Sequence, residues 1–240
     1  MADVDWRAYA EQYDLMAKLN PAYQELVDFI AEKFKEFNLR PNSKIADFGS
    51  GTGNFSIAVA KVVPNSDILA IDFDQKSLEY LESKARSEGV YNIATKLHDL
   101  SKPISEVNYF DAALMVHFLY VMGKDMAPKI LKNVFNSLKP GSPFLISDIG
   151  REIKVRDWAI YMAYNLVKKK GVKETIKMFK ATSEVRRQNR NIQKCQKRGE
   201  YYLHTIPEFS ALIESVGFKI KYASDEFYRG IDDLVIAYKP

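Results

Sequence analysis

Residues 45–54 read Ile45-Ala46-Asp47-Phe48-Gly49-Ser50-Gly51-Thr52-Gly53-Asn54. A short apolar run carrying an acid breaks into three glycines at alternate positions, and an apolar helical stretch follows over 55–62. The run predicts a strand. The glycines predict a sharp turn out of it, because a residue without Cβ adopts backbone angles, and permits close approaches, that other residues refuse. In open α/β sheets this carboxyl end of the strands is where ligands bind. The spacing excludes two common glycine-loop chemistries. A dinucleotide fingerprint needs glycine at position 54, where Asn54 stands, and a phosphate loop needs a Gly-Lys-Ser/Thr that is absent.

Outward from this loop the pattern alternates. A strand over 68–71 precedes a helix over 75–87, with Leu78, Leu81 and Ala85 on one side. A weaker strand at 93–97 is followed by a nearly continuous apolar run at 110–116, as expected of a strand covered on both faces. A helix over 125–138 stops at Lys139-Pro140-Gly141, and a strand at 144–147 follows. Upstream, Asn20-Pro21 supplies a capping side chain and a first-turn proline for a helix through Leu26, Phe29, Ile30 and Phe34. Five such units imply a parallel sheet with right-handed crossovers.

After Asp148 the alternation stops. Val155, Trp158, Ala159, Met162 and Leu166 form an apolar stripe on one helix, and a second helix is expected over 173–191. A helix over 207–216, stopped by Gly217, and strands at 219–223 and 234–238 close the chain. The expected architecture is a doubly wound α/β sheet, mostly parallel with a C-terminal antiparallel strand. It forms one unit: N-terminal cover helices over 1–40, a core over 41–149, a helical insertion forming a lid over 150–204, and a final helix and β-hairpin over 205–240.

Composition bounds the remaining choices. Of 240 residues, 47% are hydrophobic and 28% charged, which is ordinary for a globular protein. The net charge of +4 is too small to argue for nucleic acid, yet residues 151–200 carry fifteen Lys/Arg against five Asp/Glu. Such asymmetry marks either an anionic partner or a solvated helical face. Cys195 is the only cysteine, which excludes an intrachain disulfide and a cysteine-built metal site. His98, His117 and His204 lack ligand spacing, so no metal is expected. The acidic start lacks the order of a signal peptide, and no stretch approaches the ~18 apolar residues of a membrane span. The expected setting is the cytoplasm.

The residues around the loop resemble the class I S-adenosylmethionine-dependent methyltransferase superfamily, in its small-molecule type. The first motif is similar to Asp47-Phe48-Gly49-Ser50-Gly51-Thr52-Gly53, and the likeness extends in order and spacing to Ile71-Asp72-Phe73-Asp74, His98-Asp99-Leu100, Phe110-Asp111 and Leu138-Lys139-Pro140-Gly141. It covers roughly residues 1–150 and the terminal helix and strands, and leaves out the insertion. The resemblance implies a Rossmann-like enzyme with S-adenosyl-L-methionine as cofactor. The backbone from Gly49 through Ser50 and Gly51 to Gly53 would lie against the cofactor, with Asp47 anchoring its amino-acid moiety. Asp99 would accept from the adenine amino group while Leu100 lends its backbone, and Phe73 and Val116 would form apolar walls. Asp72, about twenty residues past the loop, suits a ribose, since a carboxylate matches two vicinal hydroxyls. Strand-end turn or cap roles remain the alternatives for Asp72 and Asp99. Tyr9 and Tyr13, four apart in an aromatic lead-in, would sit near the sulfonium, or else pack an amphipathic helix.

Methyl transfer to such a cofactor's partner asks mainly for orientation, with a base only where the acceptor is protonated at neutral pH. His117, at the end of the fourth strand, is the candidate base, and packing beside the site is its alternative. Tyr120, Asp148, Trp158, Met162 and His204 are candidates for the acceptor pocket, with the insertion choosing the acceptor. An apolar or aromatic small molecule is expected, methylated on oxygen or nitrogen. No Asn-Pro-Pro-Tyr-like tetrad stands at the fourth strand, where the residues are Met115-Val116-His117-Phe118. Two rivals remain: an RNA-modifying enzyme using the basic insertion, and a cofactor-binding partner subunit without catalysis. RNA is disfavoured, because Phe179 is the only aromatic from Lys168 to Arg198. Surface association through the basic insertion and homo-oligomerisation stay open.

Overall fold

The computed structural model describes residues 6–240, with side chains from residue 12 onward. Two helices, α1 (Trp6–Leu19) and α2 (Pro21–Glu36), lead into β1 (Lys44–Phe48). Then come α3 (Asn54–Val62), β2 (Asp67–Asp72), α4 (Gln75–Ser87), β3 (Ile93–Leu97) and β4 (Ala112–Val116). A one-turn helix, α5 (Leu119–Met122), precedes α6 (Ala127–Ser137) and β5 (Pro143–Ile149). The insertion forms α7 (Val155–Ala181) and α8 (Ser183–Lys197), and α9 (Ile206–Val216), β6 (Lys219–Ser224), the short α10 (Phe227–Gly230) and β7 (Asp232–Tyr238) complete the chain.

One sheet of seven strands runs in the order β3-β2-β1-β4-β5-β7-β6. The first five strands are parallel, β7 pairs antiparallel with β5, and β6 pairs antiparallel with β7. The strand order reverses between β1 and β4, and in doubly wound sheets that switch point leaves a crevice at the carboxyl ends. The all-apolar β4 is buried along its length. Its side chains alternate, Ala112, Leu114 and Val116 packing with Leu26, Ile30 and Phe34 of α2, and Ala113 and Met115 with Ile130, Leu131 and Val134 of α6.

The expected elements of the alternating region and the closing hairpin are all present, and the insertion differs in where it breaks. The expected second helix began near 173. The helix does break there: Gly171, with φ of 80° and ψ of 169°, separates the stretch that starts at Val155 from a second one that runs to Ala181. The chain breaks at Thr182, and α8 runs on to Lys197. Glycine takes these angles without steric cost, and the run of lysines at 168–170 is exposed just before the break. The short α5 and α10 were not anticipated, because four residues carry no period.

Asn20 is buried, and its side chain accepts from the backbone N–H groups of Ala22 and Tyr23 at 3.2 and 3.4 Å, capping α2. Removing a cap costs about 1–2 kcal/mol. Asn20→Ala should therefore lower the melting temperature by roughly 2–4 °C or more in a calorimetric scan; an unchanged transition would remove the cap from the account of α2.

Candidate functional site

At the switch point lies a cavity of about 400 Å³. One wall is the turn after β1. The N–H groups of Gly49 and Ser50 both donate to the carbonyl of Ile71 on β2, at 2.8 and 3.1 Å, which clips the turn to the neighbouring strand. Gly51 N–H donates to Asp72 Oδ2 at 2.8 Å, and Asp74 N–H to Asp72 Oδ1 at 3.0 Å. A carboxylate offers about four acceptor sites. Asp72 therefore lines the cavity with acceptor capacity to spare.

The three glycines of the turn do different jobs. All have positive φ, at 77°, 51° and 76°. A Cβ on Gly49 would lie 2.3 Å from the Phe118 ring, and one on Gly53 would lie 2.3 Å from Leu81. Those two make room for the protein's own packing. A Cβ on Gly51 meets nothing within 4 Å and would project into open space. Only Gly51 leaves room for a ligand. Ser50 Oγ is buried beside it with no hydrogen-bond partner.

Behind the turn, Asp47 is buried and accepts from Ser56 Oγ. Burial pushes its carboxyl up to about 7, against the lowering effect of Ser56. Asp72 is raised as well, again by burial, although backbone N–H donors oppose the shift. Two buried acids of this kind favour a cationic neighbour, which would let both ionise.

α1 closes another side. Asp14 accepts from Thr52 Oγ1 at 2.8 Å, Asn54 Nδ2 at 3.1 Å and Lys84 Nζ at 2.6 Å, a buried knot tying this helix to the glycine turn and α4. Tyr13 lines the cavity and packs edge-on against Tyr23 at 5.8 Å. The side chain of Tyr9 lies outside the described residues.

On the far wall, His117 follows β4 with φ of 54°, a strained angle for a residue bearing a side chain. Its Nε2 donates to Asp232 Oδ2 at 2.5 Å, and Ser147 Oγ donates to the same oxygen at 3.1 Å. Burial lowers the imidazole pKa, but the charge and hydrogen bond of Asp232, helped by Asp148, outweigh it, and the net shift is upward.

Several residues expected at the site are elsewhere. Tyr13, Asp47, Gly49, Ser50, Gly51, Asp72, Phe73, Val116, His117 and Tyr120 all line the cavity, with Phe73 62% exposed at its rim. Gly53 stands behind it, against Leu81. Asp99 is exposed and accepts from Ser101 N–H at 2.9 Å, the turn-cap alternative, and it is not among the cavity residues. Leu100 is buried in the core, and its carbonyl accepts from Asn133. His204 is sealed in the core, stacked on Phe209 at 4.2 Å with Nδ1 donating to Asp233 at 2.8 Å, so it does not reach the acceptor space. Asp148 is likewise buried beneath the floor. Trp158 and Met162 line a separate cavity. Asp232, Asp14 and Tyr228 were missed; only Asp14 lay in a stretch the sequence had marked.

Comparisons with known proteins bear on the family and the fold. A family model described as a methyltransferase domain matches residues 39–206. This chain belongs to that family. The methyltransferase is 29% identical over 163 residues to a carboxy-S-adenosyl-L-methionine synthase from Nautilia profundicola, covering 67% of this chain and 68% of that protein. Its fold matches a SAM-dependent methyltransferase from Aquifex aeolicus with a TM-score of 0.63 at 17% identity, over 95% and 98% of the two chains. A magnesium protoporphyrin IX methyltransferase from Synechocystis with bound SAH matches with a TM-score of 0.62 at 16% identity, over 91% and 84%. The protein is thus an enzyme of the S-adenosylmethionine-dependent class, on a Rossmann-like fold. No described helix is long and apolar enough to cross a membrane.

The glycine assignments separate by experiment. Gly51→Val should lower S-adenosylmethionine affinity at least a hundredfold in calorimetry while the melting temperature falls only a few degrees, the strain being ~1–2 kcal/mol. Gly53→Val should unfold the methyltransferase; equal effects of the two on melting would contradict the distinction.

Asp148 gives a pH test. Its carboxyl is raised by burial to about 7, with both nearby histidines opposing the shift. A folded pKa above the unfolded value near 3.8 gives a contribution that is fully present at acid pH and lost as pH rises through about 7. Asp148→Asn should then gain stability on the order of a few kcal/mol relative to wild type between pH 5 and pH 8.5 in urea titrations. A difference independent of pH would show that Asp148 ionises freely.

Proposed function

We propose that this methyltransferase transfers a methyl group to an oxygen or nitrogen of a small, uncharged, apolar or aromatic molecule, and that His117 takes the acceptor's proton. The observation carrying the reading is the His117–Asp232 pair at the wall of the cofactor cavity. Asp72 would hold the ribose, Asp47 and the Gly49–Gly51 turn the amino-acid end, and Tyr13 the sulfonium side. Bound S-adenosylmethionine supplies a methyl carbon on a positive sulfur with a neutral thioether as leaving group.

The protein's own part is to place, dry and deprotonate. Beyond His117 the wall turns apolar and aromatic, through Tyr120, Val121, Ile149, Ile153 and Tyr201. Such walls exclude water and fix a flat acceptor. Asp232 orients the imidazole through Nε2, which turns the other ring nitrogen to the base's task. As a base His117 must be neutral, so turnover should rise with pH through a value above its ordinary 6.5.

The likeness to carboxy-S-adenosyl-L-methionine synthase raises a second reading, in which the cofactor itself is modified. A carboxylate beside the methyl group would call for a cation. Among the described residues lining the cavity there is no lysine or arginine, which favours an uncharged acceptor. The basic residues of the insertion remain the support for RNA, and none of them lines the cavity.

The test is methyl incorporation from labelled cofactor into a panel of phenols and aromatic amines. His117→Ala should lower kcat by roughly 10²–10⁴-fold with cofactor affinity within a few fold. Asp232→Asn should move the acidic limb of the kcat profile to lower pH, since burial is then opposed by Asp148 without the Asp232 charge. An unshifted limb, or full activity in His117→Ala, would rule out the base.

A further inference from the structure

A second, smaller cavity of about 60 Å³ lies under the lid. Its walls are mainly apolar, formed by Met16 and Leu19 of α1, Trp158, Met162 and Leu166 of α7, and Val185 of α8. It is not an isolated packing defect. Tyr228 lines both this cavity and the cofactor cavity, the only one of the described residues to do so. Its ring lies 5.3 Å from the His117 ring on one side and 4.7 Å from Trp158 on the other. One face of α8 continues the path. Val185 and Asn189 line the small cavity, and Ile192, three residues on, lines the large one. Three residues of helix span ~4.5 Å, so the two spaces lie end to end.

The partition is held in a strained state. Tyr228 and Arg229 have φ of 50° and 60°, two consecutive left-handed residues without a glycine. The lid clamps them there, with the Arg229 guanidinium 5.0 Å from the Trp158 ring and 4.3 Å from that of Tyr161. Strain of this kind persists where surrounding contacts over-determine it, and it clusters at switching segments. Movement of α7 would release the clamp on Arg229 and Trp158's hold on the Tyr228 ring, whose hydroxyl is also bonded by Asn20 Nδ2 at 3.3 Å.

We propose that the small cavity is a subsite for an apolar substituent of the acceptor, with Tyr228 as the movable partition between it and the methyl-transfer chamber. The inference rests on the reading of the large cavity as the methyl-transfer site. The acceptor then has two parts, a flat nucleophile-bearing ring against His117 and an aliphatic group directed past Tyr228. A dry apolar cavity of 150 Å³ takes benzene, so 60 Å³ takes roughly two or three carbon atoms before the lid must shift.

The test uses phenol and its 4-methyl, 4-ethyl, 4-propyl and 4-pentyl derivatives as probes, titrated into the protein saturated with S-adenosylhomocysteine. Affinity should rise about fourfold per added carbon as far as propyl, from about 0.8 kcal/mol per buried methylene, and then level off. Ala159→Phe should fill the cavity and flatten the series, and Met162→Trp is a second filling variant should the first not fold. Tyr228→Ala should carry the rise on to pentyl. A flat series in wild type, no binding of any probe, or a gradient unchanged in a folded filling variant overturns the subsite. Failure of S-adenosylhomocysteine to bind at all would instead overturn the methyl-transfer reading on which it stands.

Discussion

The hydrogen bond from Gly51 N–H to the Asp72 carboxylate joins the ends of two parallel strands across the point where ligands enter. Much else follows from it. To reach Asp72 the chain must turn at once after Phe48, which demands positive φ at Gly49 and brings the Gly49 and Ser50 amides onto the Ile71 carbonyl. The turn then delivers Gly53 against Leu81, where no side chain fits, and starts α3. The carboxylate is thereby fixed at the edge of the cavity with acceptor sites unspent. A glutamate at 72, one methylene longer, would carry its oxygens past the amides that now hold them.

The other end of the cavity is organised by charge taken out of water. β7 is inserted beside β5 so that Asp148 faces Asp233 and Ile149 faces Asp232 in register. Three carboxyl groups are therefore buried within a few residues of one another. Each has a distinct settlement. Asp232 pairs with His117 and Ser147, Asp233 with His204 and Arg151, and Asp148 accepts only from the Ile149 backbone, with its second oxygen unpartnered. Buried acids cost stability unless paired, and a sheet that keeps three of them is arranged for something besides stability.

The alternation of short apolar runs and helical stripes was enough to read the parallel sheet, because β4 and the run at 45–48 are covered on both faces and carry no polar residue but Asp47. The wall of the cavity formed by the glycine turn and Asp72 was legible for the same reason: its residues lie within a few positions of strand ends that the pattern locates. On the far wall His117 and Tyr120 were legible too, but not the carboxylate that His117 meets. His117 and Asp232 are 115 residues apart and meet only because β7 lies next to β5, a pairing no local period encodes. His204 carried the same chemical promise as His117, yet the short segment before α9 turns it onto Phe209 rather than toward the cavity. Trp158 and Met162 were rightly read as one stripe on a helix. Which space that stripe would face depended on Tyr228, in a turn whose conformation has no signature in side-chain periodicity.

The knot around Asp14 has a mechanical consequence. From α1, Gln12 Oε1 accepts from the Glu184 backbone at the start of α8, while Asp14, half a turn on, grips Thr52 and Asn54 of the glycine turn. One short rod is thus bolted at one place to the helical insertion and at another to the glycine turn. It cannot swing clear without leaving the Lys84 ammonium buried and uncompensated. Insertion and turn are therefore geared together, since a shift of either loads the same helix.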